Sequence, residues 1–411
     1  MSRLLSRAVL ALAAASMSVS LAGCGGQSSQ SEHTATASPL RHSARSPAGT
    51  PALAIISASA RADRRALEGS HLLDLTWLSS QRGWALADAR CSAGLCPRVA
   101  VTRNGGRSWE ALSVPASLKG NWQTEISQIR FATVKVGYLF GPALYQTRDG
   151  GRTWRRIRSR PVEALEPRAG TIVRIAYDHL GCPGPCNRVV QTAAAGSGAW
   201  HTLLRIPIAR ADGNISAQII RAAARVIYVP IYANLASGVR GAKAVIFRSI
   251  DAGRRWQRLP DPCIGTGTDT HAAVTLSAGP RGYLSVLCDS ILGTGRTFIR
   301  TSQDYGSRWG QPRTVPSGMQ LLASPGPGRL MLATGGVSGS GPFTYRLDVS
   351  RDGGLHWTTV VTGTTEVSPS AAIPAVLGFG GAGFGWWAST SQEIWLTRDD
   401  GLRWRQRPFP G

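Results

Sequence analysis

Carboxylates offer the first route to chemistry in this chain. It holds 23 Asp and Glu residues, and most glycosidases need two of them at a defined separation, one acting as acid and the other as base or nucleophile. Asp74, Glu125 and Asp178 stand beside short apolar runs and are the acids that we single out for this role. The competing interpretation is that they are solvated acids at strand ends. The sequence contains neither Gly-x-Ser-x-Gly nor His-Glu-x-x-His, so neither a serine-hydrolase elbow nor a zinc-protease helix is indicated.

Cysteines form the second group of reactive side chains. Apart from Cys24, they fall as three pairs that we expect to be disulfides, because even numbers of cysteines in an exported chain favour bridges. The pairs are Cys91 with Cys96, Cys182 with Cys186, and Cys263 with Cys288. A metal site built from His179, Cys182 and Cys186 would lack a fourth ligand. We therefore expect no metal and no other cofactor.

An eight-residue pattern, Ser/Thr-x-Asp-x-Gly-x-x-Trp, occurs six times, with Asn in place of Asp in the first copy. The copies begin at residues 102, 147, 249, 302, 350 and 397. Their acidic or amide position and their tryptophan are Asn104 and Trp109, Asp149 and Trp154, Asp251 and Trp256, Asp304 and Trp309, Asp352 and Trp357, and Asp399 and Trp404. A fixed period of this size indicates a repeat fold.

The residue types of the pattern suit a tight turn between two strands. Glycine adopts positive φ without a steric penalty, an ionised Asp accepts hydrogen bonds from the N–H groups of its own turn, and Trp buries a large face as the next strand begins. A catalytic Asp would stand in a sequence context that differs from the other copies, and none does. We therefore predict a structural role for all six positions.

The spacing of the copies predicts seven units. The interval from residue 147 to residue 249 is twice the usual one, and Trp200 lies where a decayed copy is due. Short apolar runs before and after each copy add up to four strands per unit, such as Leu72–Trp77, Gly83–Leu86, Val99–Val101 and Trp109–Val114. Residues 70–411 are thus predicted to form an all-β, seven-bladed antiparallel β-propeller, with a six-bladed version as the alternative.

The pattern resembles the Asp-box, or BNR, repeat of sialidases, some endoglucanases, sortilin-type receptors and photosystem II stability/assembly-factor-like propellers, the last group most closely. The resemblance implies a propeller, but it does not choose between hydrolases and non-enzymatic scaffolds. A sialidase would carry a Phe/Tyr-Arg-Ile-Pro motif before its first box. Here Leu204-Arg205-Ile206-Pro207 comes after the decayed third copy, in an expected outer strand, and we attribute it to chance.

Residues 1–23 resemble the signal peptide of a bacterial lipoprotein. Arg3 and Arg7 precede an apolar run, and Leu21-Ala-Gly-Cys24 closes it. The resemblance implies that Cys24 becomes the lipidated N-terminus, carrying a fatty-acid chain such as palmitate. Residues 24–69 are rich in Ser, Ala, Thr and Pro and are predicted to be a flexible, disordered tether. We expect the protein to sit on the extracytoplasmic face of the cell membrane.

The formal net charge is +23, or +21 once Arg3 and Arg7 are removed. Such a chain is attracted to anionic surfaces, but the sequence contains no nucleic-acid-binding motif, and an exported lipoprotein is not expected to meet nucleic acid. The prediction is a non-catalytic binding or assembly scaffold for an unknown protein or an anionic envelope polymer. The alternative is a carbohydrate-active hydrolase, sialidase-like or endoglucanase-like, with its site at the mouth of the channel.

Overall fold

The computed structural model describes most of the chain beyond residue 64. The described residues are 65–92, 94–115, 117–118, 122–179, 186–208, 215–233, 244–264, 271–290, 296–315, 319–337, 342–365, 376–381 and 383–410. Cys24 and the signal peptide lie outside them.

Seven four-stranded sheets form seven blades, each built from four consecutive antiparallel strands. Blade 1 contains β1 (His71–Trp77), β2 (Gly83–Cys91), β3 (Gly94–Thr102) and β4 (Glu110–Leu112). Blade 2 contains β5 (Gln128–Phe131), β6 (Gly137–Phe140), β7 (Leu144–Thr147) and β8 (Arg155–Arg156). Blade 3 contains β9 (Val162–Arg168), β10 (Thr171–Tyr177), β11 (Arg188–Ala194) and β12 (His201–Ile206). Blade 4 contains β13 (Ile215–Ala217), β14 (Ile227–Ala233), β15 (Val245–Ser249) and β16 (Gln257–Arg258).

The remaining blades follow the same order. Blade 5 contains β17 (His271–Ala278), β18 (Leu284–Ser290), β19 (Thr297–Ser302) and β20 (Arg313–Val315). Blade 6 contains β21 (Met319–Gly326), β22 (Arg329–Val337), β23 (Phe343–Ser350) and β24 (Thr358–Thr365). Blade 7 contains β25 (Val376–Phe379), β26 (Gly385–Ala388), β27 (Glu393–Thr397) and β28 (Arg405–Pro408). Short 3-10 helices span Trp122–Thr124 and Pro280–Gly282.

The prediction of a seven-bladed all-β propeller is confirmed, and the six-bladed alternative is wrong. The decayed copy around Trp200 lies in the connection between β11 and β12, so blade 3 is complete although its turn has lost the Asp of the pattern. The tetrapeptide Leu204–Pro207, whose likeness to the sialidase motif we attribute to chance, begins in β12. This is the outermost strand of blade 3, as expected.

The inner strands of a blade are buried on both faces because the neighbouring blades pack against them. All four residues of Gln128–Phe131 are buried, and so are all four of Gly137–Phe140, whereas the outermost pair Arg155–Arg156 is exposed. A strand buried on both sides does not need the alternating pattern of a half-buried strand. This burial explains why a strand such as Gly137–Phe140 reads as a continuous apolar run.

Seven apolar clusters hold the ring together, one at each junction between neighbouring blades. At the junction of blades 7 and 1, Trp77 packs edge-to-face against Trp109 and Phe384, with ring centroids 6.0 and 5.6 Å apart. Phe409 packs against Trp109 in the same way at 5.3 Å. Edge-to-face aromatic pairs add to the stabilisation from burial. The ring is therefore closed by side-chain packing between its first and last blades.

Leu67 also belongs to this closing cluster and is fully buried. It lies inside the range 24–69 that the sequence predicts to be a tether. Residues 65–67 form a helical turn, and the N–H of Ser70 donates to the carbonyl of Leu67. Packing against the propeller thus begins a few residues before the predicted boundary.

A hydrogen bond between two turns recurs in every blade and defines one face of the ring. In each case an N–H between the third and fourth strands donates to a carbonyl between the first and second strands. The donor and acceptor residues are Gly105 and Gln81, Gly150 and Lys135, Ala195 and Gly170, Ala252 and Arg225, Tyr305 and Gly282, Gly353 and Gly328, and Asp400 and Gly383. We call the face that carries these turns the Asp-box face. The opposite face carries the connections between blades and between second and third strands.

Two of the predicted disulfides lie wholly within the described residues, and both are at the opposite face. Cys91–Cys96 closes the hairpin between β2 and β3, and Cys263–Cys288 joins the connection after blade 4 to β18 of blade 5. Cys186 is buried just before β11, and Cys182 lies outside the described residues. The bridges therefore brace the face whose connections differ most in length.

Candidate functional site

The six pattern turns share one geometry, which blade 2 illustrates. The Thr147 hydroxyl donates to Oδ1 of Asp149 at 2.8 Å and accepts the N–H of Gly151 at 2.9 Å. The N–H of Thr153 donates to the same Oδ1 at 2.9 Å. Gly151 has a φ of +100°, and a Cβ there would lie 2.8 Å from the side chain of Leu112. Glycine is required at this position by the backbone and by the neighbouring blade.

The equivalent side chains in the other five turns accept from the N–H four residues later at 2.9–3.0 Å, namely Asn104, Asp251, Asp304, Asp352 and Asp399. Asn104 also donates from Nδ2 to the Ser108 hydroxyl. The tryptophans that end the turns pack at junctions between blades, as Trp154 does against Phe131. Each of these acids or amides is thus engaged by its own turn.

These hydrogen bonds keep the turn carboxylates ionised. Desolvation acts to raise the pKa of Asp149, but hydrogen bonds from Thr153 and Thr147 lower it to about 2. For Asp352, hydrogen bonds from the N–H and ring of His356 hold the pKa well below its usual range. The pKa values of Asp251, Asp304 and Asp399 are lowered by bonds of the same kind. A general acid needs a pKa near the working pH, so these groups are unsuited to proton donation.

Asp74 lies on the inner strand of blade 1 and is buried with Arg130 of blade 2. Its Oδ2 lies 2.6 Å from Nη1 of Arg130 and accepts the N–H of Ile129 at 2.8 Å. Nε of Arg130 donates to Oε1 of Glu166 in blade 3 at 2.8 Å. One guanidinium therefore bridges two carboxylates and links the inner strands of three successive blades.

Charge and burial shift the pKa values of Asp74 and Arg130 in opposite directions. Burial raises the pKa of Asp74, while Arg130 and the Ile129 amide act in the opposite direction. Burial acts to lower the pKa of Arg130, but its two carboxylate partners raise it above its ordinary value. Asp74 and Glu166 are thus two carboxylates bound by one guanidinium. Both carboxylates bind Arg130, so we assign them a structural role.

Glu125 lies elsewhere, near the start of blade 2. Its Oε2 accepts from the Tyr145 hydroxyl at 2.8 Å and lies 3.7 Å from Nη2 of Arg156. Burial and the contact with Glu125 raise the pKa of Tyr145, whose side chain is fully buried. Sialidases use a tyrosine nucleophile, but a buried tyrosine of raised pKa such as Tyr145 is neither reachable nor activated.

Asp178 lies at the opposite face, after β10. Its Oδ1 lies 2.6 Å from Nδ1 of His179, and its Oδ2 accepts from Nδ2 of Asn187 at 2.8 Å. Desolvation acts to raise the pKa of Asp178, but the bonds from Asn187 and His179 lower it overall. Within the described residues, no hydrogen bond or ion pair joins Asp178, Glu125 and Asp74 to one another. The three predicted acids occupy three separate environments.

The sequence did not single out several other buried polar groups at the blade junctions. Glu163 of blade 3 accepts the N–H of Ala217 on the inner strand of blade 4 at 2.8 Å and pairs with Arg188. The Tyr232 hydroxyl of blade 4 accepts the N–H of Leu276 on the inner strand of blade 5 at 2.9 Å. These contacts satisfy N–H groups on the free edge of an inner strand, as Asp74 does for Ile129. An acidic residue inside a first-strand run, as at Asp74 and Glu163, is the signal that points to two of these contacts, whereas Tyr232 lies on the second strand β14 and gives no such signal.

No group of three or more His, Cys, Asp or Glu side chains that would suit a metal ion occurs among the described residues. Among those residues no helix has the length and hydropathy needed to cross a membrane.

Comparison with known proteins shows similarity of fold but does not assign the chain to a family. No family model and no curated protein matches this sequence. YCF48 from Cyanidioschyzon merolae is similar in structure, with a TM-score of 0.51 and 15% identity over 80% of this chain and 93% of that chain. The GH74 xyloglucanase from Xanthomonas campestris has a TM-score of 0.51 at 15% identity, covering 83% of this chain and 55% of its own.

An ulvan lyase of polysaccharide lyase family PL25 has a TM-score of 0.52 at 10% identity, over 78% of this chain and 90% of that chain. This chain thus spans most of the length of YCF48 and of the lyase, but little more than half of the xyloglucanase. Neighbours at these identities establish the propeller fold and leave the activity open. By structure, the chain is a seven-bladed β-propeller similar in fold to YCF48, the GH74 xyloglucanase and the PL25 ulvan lyase.

Proposed function

We propose that this chain is an exported, lipid-anchored β-propeller that works as a non-catalytic binding or assembly scaffold at the cell envelope. The observation that carries the proposal is the engagement of its conspicuous acids. The acidic turn residues accept N–H groups of their own turns, and Asp74 and Glu166 share the guanidinium of Arg130. Carboxylates occupied in this way hold the fold and are not available to substrate.

The proposed location of the protein rests on its first 24 residues. Their resemblance to a lipoprotein signal supports lipidation of Cys24 and attachment to the extracytoplasmic face of the membrane. The Ser- and Ala-rich segment that follows would let the propeller move above its anchor. A partner would then be met in the envelope, as a protein or an anionic polymer.

The opposite face is the better candidate for binding that partner. Its connections vary widely in length, from residues 92–93 between β2 and β3 to residues 234–244 between β14 and β15. The Asp-box turns are nearly uniform by comparison. Variable loops on a rigid scaffold are where binding specificity is usually found, and the Cys91–Cys96 and Cys263–Cys288 bridges brace this face.

The test is crosslinking in intact cells followed by purification of the full-length protein and identification of what is attached. We expect one reproducible adduct, reduced when Leu95 and Ile264 of the opposite face, 41% and 63% exposed, are both changed to Asp. Leu355→Asp on the Asp-box face is the matched control and should leave the adduct intact. An adduct that is insensitive to the opposite-face changes would contradict this choice of face.

The alternative is a carbohydrate-active hydrolase, and the observation that supports it is the similarity of fold to the GH74 xyloglucanase and the PL25 ulvan lyase. Purified protein incubated with labelled sialosides, β-glucans and other glycans tests it directly. We expect no turnover. Turnover that disappears in Glu125→Gln or Asp178→Asn, with unchanged thermal unfolding, would replace the scaffold proposal with the enzyme.

A further inference from the structure

The Asp-box face displays an unusual share of the exposed apolar side chains. The described residues expose seven large apolar side chains, and five of them lie in turns of this face. They are Val134 (47% exposed), Ile250 (55%), Tyr305 (37%), Leu355 (60%) and Leu402 (36%). The last four occupy the turns between the third and fourth strands of blades 4, 5, 6 and 7. We call these four residues the apolar arc.

Exposed arginines alternate with the apolar arc in the same turns. Over blades 4–7, the turns of this face together contain nine Arg and five Asp residues. Beside the arc, the exposed arginines of the same four turns are Arg254, Arg255, Arg308, Arg351, Arg398 and Arg403. None of these six forms an ion pair with a carboxylate in the described part of the chain, whereas Asp251, Asp304, Asp352 and Asp399 accept hydrogen bonds from their own turns and Asp400 pairs with Arg329. The face around the arc is therefore cationic with apolar tips.

Contacts between neighbouring blades make this face one continuous surface. Nη1 of Arg248 donates to the carbonyl of Tyr305 at 2.9 Å, which ties blade 4 to the turn of blade 5. Nη1 of Arg313 donates to the carbonyl of Asp352 at 2.9 Å, which ties blade 5 to blade 6. Arg329 pairs with Asp400 between blades 6 and 7. These contacts fix the tips of the apolar arc relative to one another.

We propose that the Asp-box face over blades 4–7 docks on the surface of a bilayer that contains anionic lipids. Exposed Arg side chains match the negative headgroups, and apolar side chains at turn tips enter the boundary between headgroups and acyl chains. A soluble anionic polymer would be attracted by the arginines but would gain nothing from the apolar tips. The combination of both therefore favours a lipid surface.

The length of chain before the propeller allows this orientation. β1 begins at the opposite face, because its C-terminal end leads into a turn of the Asp-box face. The chain from Cys24 to residue 65 can reach up to about 140 Å when extended. The depth of a blade is set by strands of about seven residues, or roughly 25 Å. A lipid on Cys24 could thus enter the same membrane on which the Asp-box face rests.

Vesicle co-sedimentation tests the docking without the anchor. The protein used is residues 25–411, which keeps the whole propeller, since all seven apolar clusters lie within residues 67–409. It is mixed with vesicles of phosphatidylcholine, with or without phosphatidylglycerol, at low and high salt. We expect binding to the vesicles with phosphatidylglycerol, weakened by salt.

Three variants separate the contributions of the apolar side chains and the arginines to vesicle binding. Thermal unfolding checks that each variant is folded. In the first, Ile250, Leu355 and Leu402 become Ser, and vesicle binding should weaken by about tenfold or more. In the second, Arg255, Arg308 and Arg403 become Gln, and binding should weaken and lose most of its salt dependence. The matched control changes Leu95 and Ile264 of the opposite face to Ser and should bind like the original protein.

Each other outcome overturns the proposal. Binding that survives loss of the apolar tips but not of the arginines would point to a polyanion in place of a bilayer. An equal loss in the opposite-face control would move the contact to the other side, and no binding at all would remove it. The docking goes beyond the proposed scaffold function, because a partner bound at the opposite face would still be captured if vesicle binding failed.

Discussion

The guanidinium of Arg174 lies over the indole of Trp200, with 3.8 Å between the Cζ atom and the ring centroid. Arg174 stands on β10, and Nε and Nη2 also donate to Oε1 of Gln191 on β11 at 3.0 and 2.8 Å. Burial lowers the pKa of Arg174 to about 10, so the group is still a cation at neutral pH. Blade 3 has lost the Asp of its turn, and this cation–π contact holds the displaced tryptophan in place.

We expect Arg174→Ala and Trp200→Ala to be coupled. Each change should lower the free energy of unfolding, and the double variant should lose less than the sum of the two by about 1–2 kcal/mol, the range of a partly desolvated cation–π pair. Urea unfolding of the four proteins measures the coupling. Arg158→Ala, an exposed arginine in the connection that leads to blade 3, is the control. Additive effects would show that the contact contributes nothing.

Asp149→Ala should destabilise the fold by about 1–3 kcal/mol, because the N–H and hydroxyl of Thr153 lose their acceptor. Asp149→Asn should cost clearly less, since Asn104 performs the same task in blade 1. Trp154→Ala should cost about 3–5 kcal/mol through lost packing between blades 1 and 2. Chemical denaturation gives all three values. An Ala variant as stable as the original would refute the structural role of Asp149.

Acid should weaken the propeller through the same turn. The folded-state pKa of Asp149 is about 2, below the value of about 3.9 for an unfolded Asp. Its contribution to stability is therefore complete above pH ~4 and is lost as the pH falls towards 2. The difference in melting temperature between the original protein and Asp149→Asn, followed by circular dichroism, should shrink over that interval. A difference that stays constant with pH would contradict the lowered pKa.

Cys24→Ala should release the protein from the membrane fraction or leave it as an unprocessed precursor, because the lipid has no other attachment point. Fractionation of cells, with metabolic labelling by palmitate, measures both outcomes. Cys91→Ser tests whether loss of any cysteine has the same effect, and it should leave the lipid in place. A Cys24→Ala protein that still carries lipid would exclude the lipoprotein assignment.

The sequence predicted the repeating parts of the fold better than its junctions. The pattern turns, the strands around them and the decayed copy near Trp200 could be found because each recurs at a fixed interval. The ion chain of Asp74, Arg130 and Glu166 could not, because its members come from three blades and meet only when the ring closes. The residues Gln128-Ile-Arg-Phe131 alternate polar and apolar, which is the pattern of a half-buried strand and would place Arg130 on a solvent-facing side, although the strand is buried at every position.

Each blade is built from four strands that follow one another in the chain, and the first and last blades meet through the rings of Trp77, Trp109, Phe384 and Phe409 without exchanging a strand. No single blade of such a ring has to be completed by strands from both ends of the chain. Each of the seven junctions is packed by an apolar cluster, so a circular permutant with new termini between two blades should still close. For the same reason, gene duplication or deletion can add or remove one whole blade at a time without changing the strand order of the other blades.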